Sequence, residues 1–200
     1  MTSAVGICNL ALGNVGIQQT IASLDEKSKE AAACKRYYEQ ARDEVLEDYP
    51  WPFATRTVTL ALVASDPTPT WYFSYRYPSD CSKVRRVVPP DIGVSNYFRE
   101  PFIITSDASG KLVYSNLELA LAEITAKITD TALFNAKFVN SLSWLLGSKI
   151  APSLTGNNAK AAINHALSIY ETSLIQAQNV AANEGNQIEF PYCETIEARS

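Results

Sequence analysis

Residues 27–56 read KSKEAAACKRYYEQARDEVLEDYPWPFATR, and this stretch decides the fold. Cys34, Tyr37, Tyr38, Ala41, Val45 and Tyr49 recur at three- and four-residue spacing, which lines one side of a helix with apolar groups. Lys35, Arg36, Glu39, Arg42, Asp43, Glu44, Glu47 and Asp48 fill the other side. The helix must stop at Pro50-Trp51-Pro52-Phe53. Pro50 biases Tyr49 toward extended backbone, and Pro52 prevents regular hydrogen bonding from resuming. From Ala54 to Val63 the residues alternate as a strand does.

Working outward, a first helix is predicted at about 3–14, with Val5, Cys8, Leu12 and Val15 on one side and Gly13 and Gly16 ending it. The helix of the decisive stretch is predicted over about 25–49, with Asp25 or Ser28 as its cap. A β-rich insertion at about 54–130 is punctuated by turn signals at Asp66-Pro67, Pro89-Pro90-Asp91 and Asp107-Ala108-Ser109-Gly110. Ser106 to Lys111 reads as a hairpin loop between Phe102–Thr105 and Leu112–Ser115. The alternation from Leu119 to Thr129 suggests a further strand, although its alanines also suit a helix. Asn135 caps a third helix (about 135–151), which Pro152 is expected to stop. A fourth helix runs over about 157–184. Helices three and four, joined by a short polar loop, are expected to pack antiparallel. The expected fold is therefore α+β: mainly a helical bundle of about four helices with a small antiparallel β region between helices two and three. Residues 1–185 form a single domain, and an extended C-terminal arm follows at 186–200.

Composition narrows the functional classes. The chain has 200 residues and a net charge of −4. Neither half is strongly basic, which disfavours tight DNA binding. Cys8, Cys34, Cys81 and Cys193 are scattered and have only His165 to help them, so neither a zinc site nor a disulfide framework is expected. The N-terminus lacks the pattern of a signal peptide, no apolar run is long enough to span a membrane, and synthesis in a cytoplasm is expected. Carboxylates on helix two alternate with Lys and Arg, for example Glu39 with Arg42 or Lys35 with Glu39, as on a solvated, ion-paired face. A lone histidine supports no Ser-His-Asp or Cys-His arrangement, and the glycines form no phosphate loop. No catalytic residue, metal site or cofactor is expected.

Two features point instead to assembly. Trp71, Tyr72, Phe73, Tyr75 and Tyr77 put aromatics on both faces of one strand, more than a core absorbs. Trp71, Phe73 and Tyr75, with Asp107 and Lys111 at the hairpin tip, are candidates for an interface with a neighbouring subunit or another partner. In the acidic C-terminal arm, Ile188, Phe190, Tyr192 and Ile196 are candidate anchors for docking on a partner. Arg76, Lys83, Arg85 and Arg86 are the candidate DNA-facing residues. Strand alternation puts Lys83 and Arg85 on one face and Arg86 on the other.

The segments Ile7-Cys8-Asn9-Leu10-Ala11-Leu12-Gly13, Ile21 to Ala31, Arg42-Asp43-Glu44-Val45-Leu46 and Pro50-Trp51-Pro52-Phe53-Ala54-Thr55-Arg56 resemble the head-to-tail adaptor proteins of short-tailed bacteriophages, also called tail tubular protein A or gateway proteins. The resemblance continues through Trp71 to Cys81, through Lys83-Val84-Arg85-Arg86-Val87, and through Phe134-Asn135-Ala136-Lys137-Phe138 toward Leu146. It implies a helical pair leading through the aromatic corner into a small sheet. It also implies a structural, non-enzymatic virion protein in the neck between capsid and tail. Such a protein forms a twelvefold ring of like copies, docks under the portal protein, extends the DNA channel and carries the tail tube or nozzle protein. Contact with passing DNA would be transient and non-specific. Two rival readings are a nucleic-acid-binding module using the basic β-region residues, and an enzyme with a carboxylate site at Asp43 or Glu44.

Overall fold

In the first helix, α1 (Ala4–Asn14), the Ser3 hydroxyl accepts from the Gly6 N–H at 3.1 Å. At its far end Ile17 N–H bonds Leu12 C=O and Gly16 N–H bonds Gly13 C=O, with Gly16 at φ +81°. This is the paired closure that a glycine just past a helix permits. Ser28, not Asp25, caps α2 (Lys29–Asp48), accepting from the Ala31 N–H at 3.1 Å. Asp25 stays in the preceding loop and pairs with Lys35 at 2.6 Å. The structure is a computed structural model that describes residues 3–90 and 100–184.

Asn135 caps α3 (Ala136–Leu154) as expected, but Pro152 lies inside this helix rather than ending it. Side chains hold the turn that the proline weakens. Ser153 Oγ donates to the Ile150 carbonyl at 2.9 Å, and Thr155 donates to the Ala151 carbonyl through both its N–H and its hydroxyl. A 3₁₀ turn at Gly156–Asn158 then leads into α4 (Ala159–Glu184).

The third helix is the hub of the helical layer, packing against α1, α2 and α4. Ile7, Leu12, Cys34, Val45, Leu46, Phe138, Leu142, Leu146 and Ile150 are fully buried in this core. Cys8 and Cys34 meet there as free thiols, and their shared hydrogen bond together with burial pushes the Cys8 thiol up. Gly147 sets the approach of α1: a Cβ there would lie 3.1 Å from Val15 Cγ1 and 3.3 Å from the Ala11 carbonyl oxygen. Gly147→Ala is accordingly expected to destabilise the protein by about 1–2 kcal/mol, the overpacking outweighing alanine's better helix propensity. Urea unfolding checks this, and a stabilised variant would show that α1 does not seat on α3.

The β region corrects the expected fold class. It is not a small insertion in a helical bundle. Seven strands among the described residues form two antiparallel sheets: β1 (Thr55–Thr59), β2 (Ala61–Thr68), β3 (Trp71–Arg76), β4 (Cys81–Val88), β5 (Phe102–Asp107), β6 (Gly110–Ser115) and β7 (Leu121–Ala126). One sheet has the order β1-β7-β4 and the other β2-β3-β6-β5. The sheets enclose their own core of Leu60, Tyr75, Val84, Val87, Val113, Ala120, Ala122 and Ile124. The alanine-rich segment read as a further strand, with helix as the alternative, is β7, the middle strand of the three-stranded sheet. It joins the two cores, because Ala126 belongs to the helical core while Ala122 and Ile124 belong to the sandwich. The predicted hairpin is present as β5–β6, with Asp107 opposite Gly110.

Candidate interface surfaces

The aromatic corner of the decisive stretch is a packed joint. Trp51 is 1% exposed, and its ring meets Tyr49 and Phe138 edge-on at centroid distances of 4.9 and 5.2 Å. Phe53 and Phe134 extend the cluster around Phe138. The indole N–H of Trp51 donates to the Val45 carbonyl at 2.7 Å. Val45 is in the last turn of α2, just before the carbonyls that have no i+4 partner within the helix. Two of those carbonyls are taken by the basic strand β4: Arg85 Nη2 donates to Leu46 O at 3.0 Å and Lys83 Nζ to Glu47 O at 3.3 Å. Cations at a helix C-terminus also oppose its dipole. The corner and β4 thus clamp the end of α2 onto the three-stranded sheet.

The structure places every candidate DNA-facing residue beside an acceptor of its own chain. Arg85 is half-buried and also donates from Nε to Thr125 Oγ1 at 2.8 Å. Burial lowers its pKa, while Asp48 and Glu47 work in the opposite direction. Arg86 makes two bonds to Glu123 Oε2, at 2.9 and 2.7 Å. Arg76 forks across Asp107 at 2.9 and 3.0 Å, which holds that carboxyl below its ordinary range. These contacts unite Arg76 with the hairpin tip, a pairing the sequence reading kept apart.

The interface candidates on β3 separate by face. Tyr75 is 1% exposed, and its hydroxyl donates to the Leu117 carbonyl. Trp71 and Phe73, on the same side of the strand, are half-buried. Tyr72, on the opposite side, is 58% exposed. At the tip Asp107 also accepts from the Ser109 N–H at 2.8 Å, and the Lys111 ammonium sits 5.3 Å from the centre of the Tyr77 ring. The arm candidates Ile188, Phe190, Tyr192 and Ile196 lie outside the described residues.

The α2 carboxylates Asp43, Glu44 and Asp48 are tied differently from expected helix-face pairs such as Glu39 with Arg42. Asp43 is shared by Arg42 (2.7 Å) and Lys127 (2.9 Å), Glu44 pairs with Lys149 (2.6 Å), and Asp48 accepts from the Tyr170 hydroxyl (2.5 Å). Burial first, then Asp48, pushes the Tyr170 phenol up. These bonds fasten α2 to α3, α4 and the segment after β7. His165 is exposed and lies edge-on to Trp144. No group of three or more His, Cys, Asp or Glu among the described residues is arranged to hold a metal ion.

The sequence reading missed the exposed apolar residues at the edges of the four-stranded sheet: Leu62 and Val63 on β2, and Ile103 and Ile104 on β5. Their signal was the uncharged runs Ala61–Ser65 and Phe102–Ser106. No family model matches the chain, and no curated protein matches it. No described helix is long and apolar enough to cross a membrane.

Proposed function

We propose that this chain is a bacteriophage head-to-tail adaptor. Copies form a ring, twelvefold as the resemblance implies, that docks under the portal protein in the virion neck, extends the DNA channel and carries the tail tube or nozzle. The observation that carries this reading is the clamp at the end of α2. The residues that bear the resemblance, Pro50 to Arg56 and Lys83 to Val87, meet there and join helices to sheet through hydrogen bonds to the Val45, Leu46 and Glu47 carbonyls. The same contacts weigh against the nucleic-acid reading, since Arg76, Lys83, Arg85 and Arg86 already have acceptors. A mildly acidic chain also suits a channel through which DNA slides, because a strongly basic lumen would retain phosphates.

Portal contact is assigned to the arm at 186–200, with Phe190 and Tyr192 as anchors, on the strength of its composition. Particle mass tests the proposal, measured on the protein alone and mixed with the portal ring of the same genome. The expected result is a multi-copy complex on the portal, lost when residues 186–200 are removed while the far-ultraviolet circular dichroism stays unchanged. A protein that leaves the portal ring's mass unaltered would refute the adaptor reading. A truncated chain that still binds would refute the arm's role alone.

A further inference from the structure

The four-stranded sheet ends in two strands, β2 and β5, that each pair with a single neighbour among the described residues. Open edges recruit foreign strands, and proteins usually blunt them with charge, proline or bulges. Here the blunting is partial. β2 is uncharged from Ala61 to Ser65 but carries one extra residue, Val63, between Leu62 and Ala64; a second register shift follows Ser65, with Asp66 at φ +49° and Pro67. β5 is uncharged from Phe102 to Ser106 and closes with Asp107. The uncharged stretches carry exposed apolar side chains: Leu62 at 56%, Val63 at 45%, and Ile103 and Ile104 at 44% each.

The two edges are also matched to each other. Every neighbouring pair in the order β2-β3-β6-β5 is antiparallel, so β2 and β5 run in opposite directions. A second copy in the same orientation therefore brings its β2 antiparallel to the first copy's β5. The cross-strand row Leu62–Tyr75–Val113–Ile104 begins at one edge and ends at the other. Its inner members Tyr75 and Val113 are buried, and its outer members are exposed. Edge-to-edge contact sets Ile104 beside Leu62 of the next copy and continues the row. The adjacent row Ala64–Ser74–Tyr114–Ile103 continues past the extra residue Val63, so the seam keeps on β2 the same bulge that β2 shows against β3. The acidic ends do not collide. Asp66 follows Ser65, whose row ends at Phe102, while Asp107 lies at the opposite end of β5. A two-fold pairing of β5 with β5 would leave both β2 edges open, whereas the head-to-tail pairing covers both kinds of edge.

We infer that β5 of one copy pairs antiparallel with residues 61–65 of the next copy's β2, a heterologous contact that can close into a ring. This inference rests on the ring reading above and names its seam. The test is a full-length Leu62→Cys/Ile104→Cys variant, free and mixed with the portal ring, treated with a short bis-maleimide. Cβ atoms directly opposite across an antiparallel pair lie about 4.5–5.5 Å apart and diagonal ones about 7–8 Å apart, so such a reagent tolerates a small register slip. The expected result is a ladder of covalent oligomers, about tenfold or more above the wild type and either single variant, because assembly holds the two thiols at high effective concentration. Dimers from Ile104→Cys alone would overturn the inference in favour of a two-fold seam. A multi-copy particle on the portal without a ladder would overturn the seam and leave the adaptor reading standing. A ladder from protein that ignores the portal would support the seam while the adaptor reading fails. Absence of both ladder and portal binding would overturn both.

Discussion

Trp51→Ala is expected to lower the stability of the full chain by about 3–5 kcal/mol, the usual loss for a large aromatic removed from a core. For a chain of this length that moves the thermal midpoint down by roughly 6–20 °C. Two contributions add at this residue. Its ring fills the space between Tyr49, Phe53 and Phe138, so alanine leaves a cavity bordered by the corner and α3. Its indole N–H donates to the Val45 carbonyl at 2.7 Å, a buried hydrogen bond that alanine removes. Trp51→Phe separates the two. It keeps much of the apolar body and removes the donor, at an expected cost of about 0.5–1.5 kcal/mol for the lost hydrogen bond. Urea unfolding followed by circular dichroism reads both variants. If alanine costs less than about 1 kcal/mol, the corner does not join α2 to α3, since surface replacements fall near that range.

How much of this was legible in the sequence follows from the range of the interactions. The second helix and its abrupt end were readable because periodicity and Pro50-Trp51-Pro52 are local signals, and the cap at Asn135 is local too. Sheet partition is not local. β1 pairs with β7 through Thr55 and Thr125, and no property of either segment names the other. The alanines of β7 suited a helix by propensity, but burial between β1 and β4 overrode that preference. Pro152 misled for a similar reason. The rule that proline ends a helix ignores the hydroxyls of Ser153 and Thr155, which hold the following turn. At the candidate sites, strand alternation parted Arg86 from Lys83 and Arg85. A register shift between Val84 and Arg86 instead makes Arg85 an extra residue and sets Lys83 and Arg86 opposite Thr125 and Glu123, on one face of the sheet. Lys83 and Arg85 nevertheless both reach α2. What they meet there, the carbonyl end of α2, depends on how sheet and helix dock and left no mark in the spacing. The same limit applies to the β3 aromatics, where composition showed a surplus but could not tell Tyr72, which is exposed, from Tyr75, which is buried.

Arg85 gives the second large effect and separates the clamp from the nucleic-acid reading. Arg85→Met retains most of the side chain's bulk and removes the guanidinium, so the Leu46 carbonyl and the Thr125 hydroxyl lose their donors together. The expected cost is about 2–4 kcal/mol, because the lost bonds are charge-assisted and partly buried. Lys83→Met should cost less than about 0.5 kcal/mol, since its ammonium is exposed and its bond to Glu47 O is long. Thr125→Val in the Arg85→Met background should cost less than in the wild type, because residues sharing a hydrogen bond are not additive. If the same residues instead bound phosphates, each replacement would weaken duplex DNA binding at every sequence and lower the salt slope by about one. In that case the Lys83 and Arg85 variants would behave alike. Urea midpoints and the anisotropy of a labelled duplex at two salt concentrations therefore distinguish the two accounts. A large stability difference with unchanged DNA affinity supports the clamp, and matched losses of DNA affinity with little loss of stability would return these residues to the nucleic-acid reading.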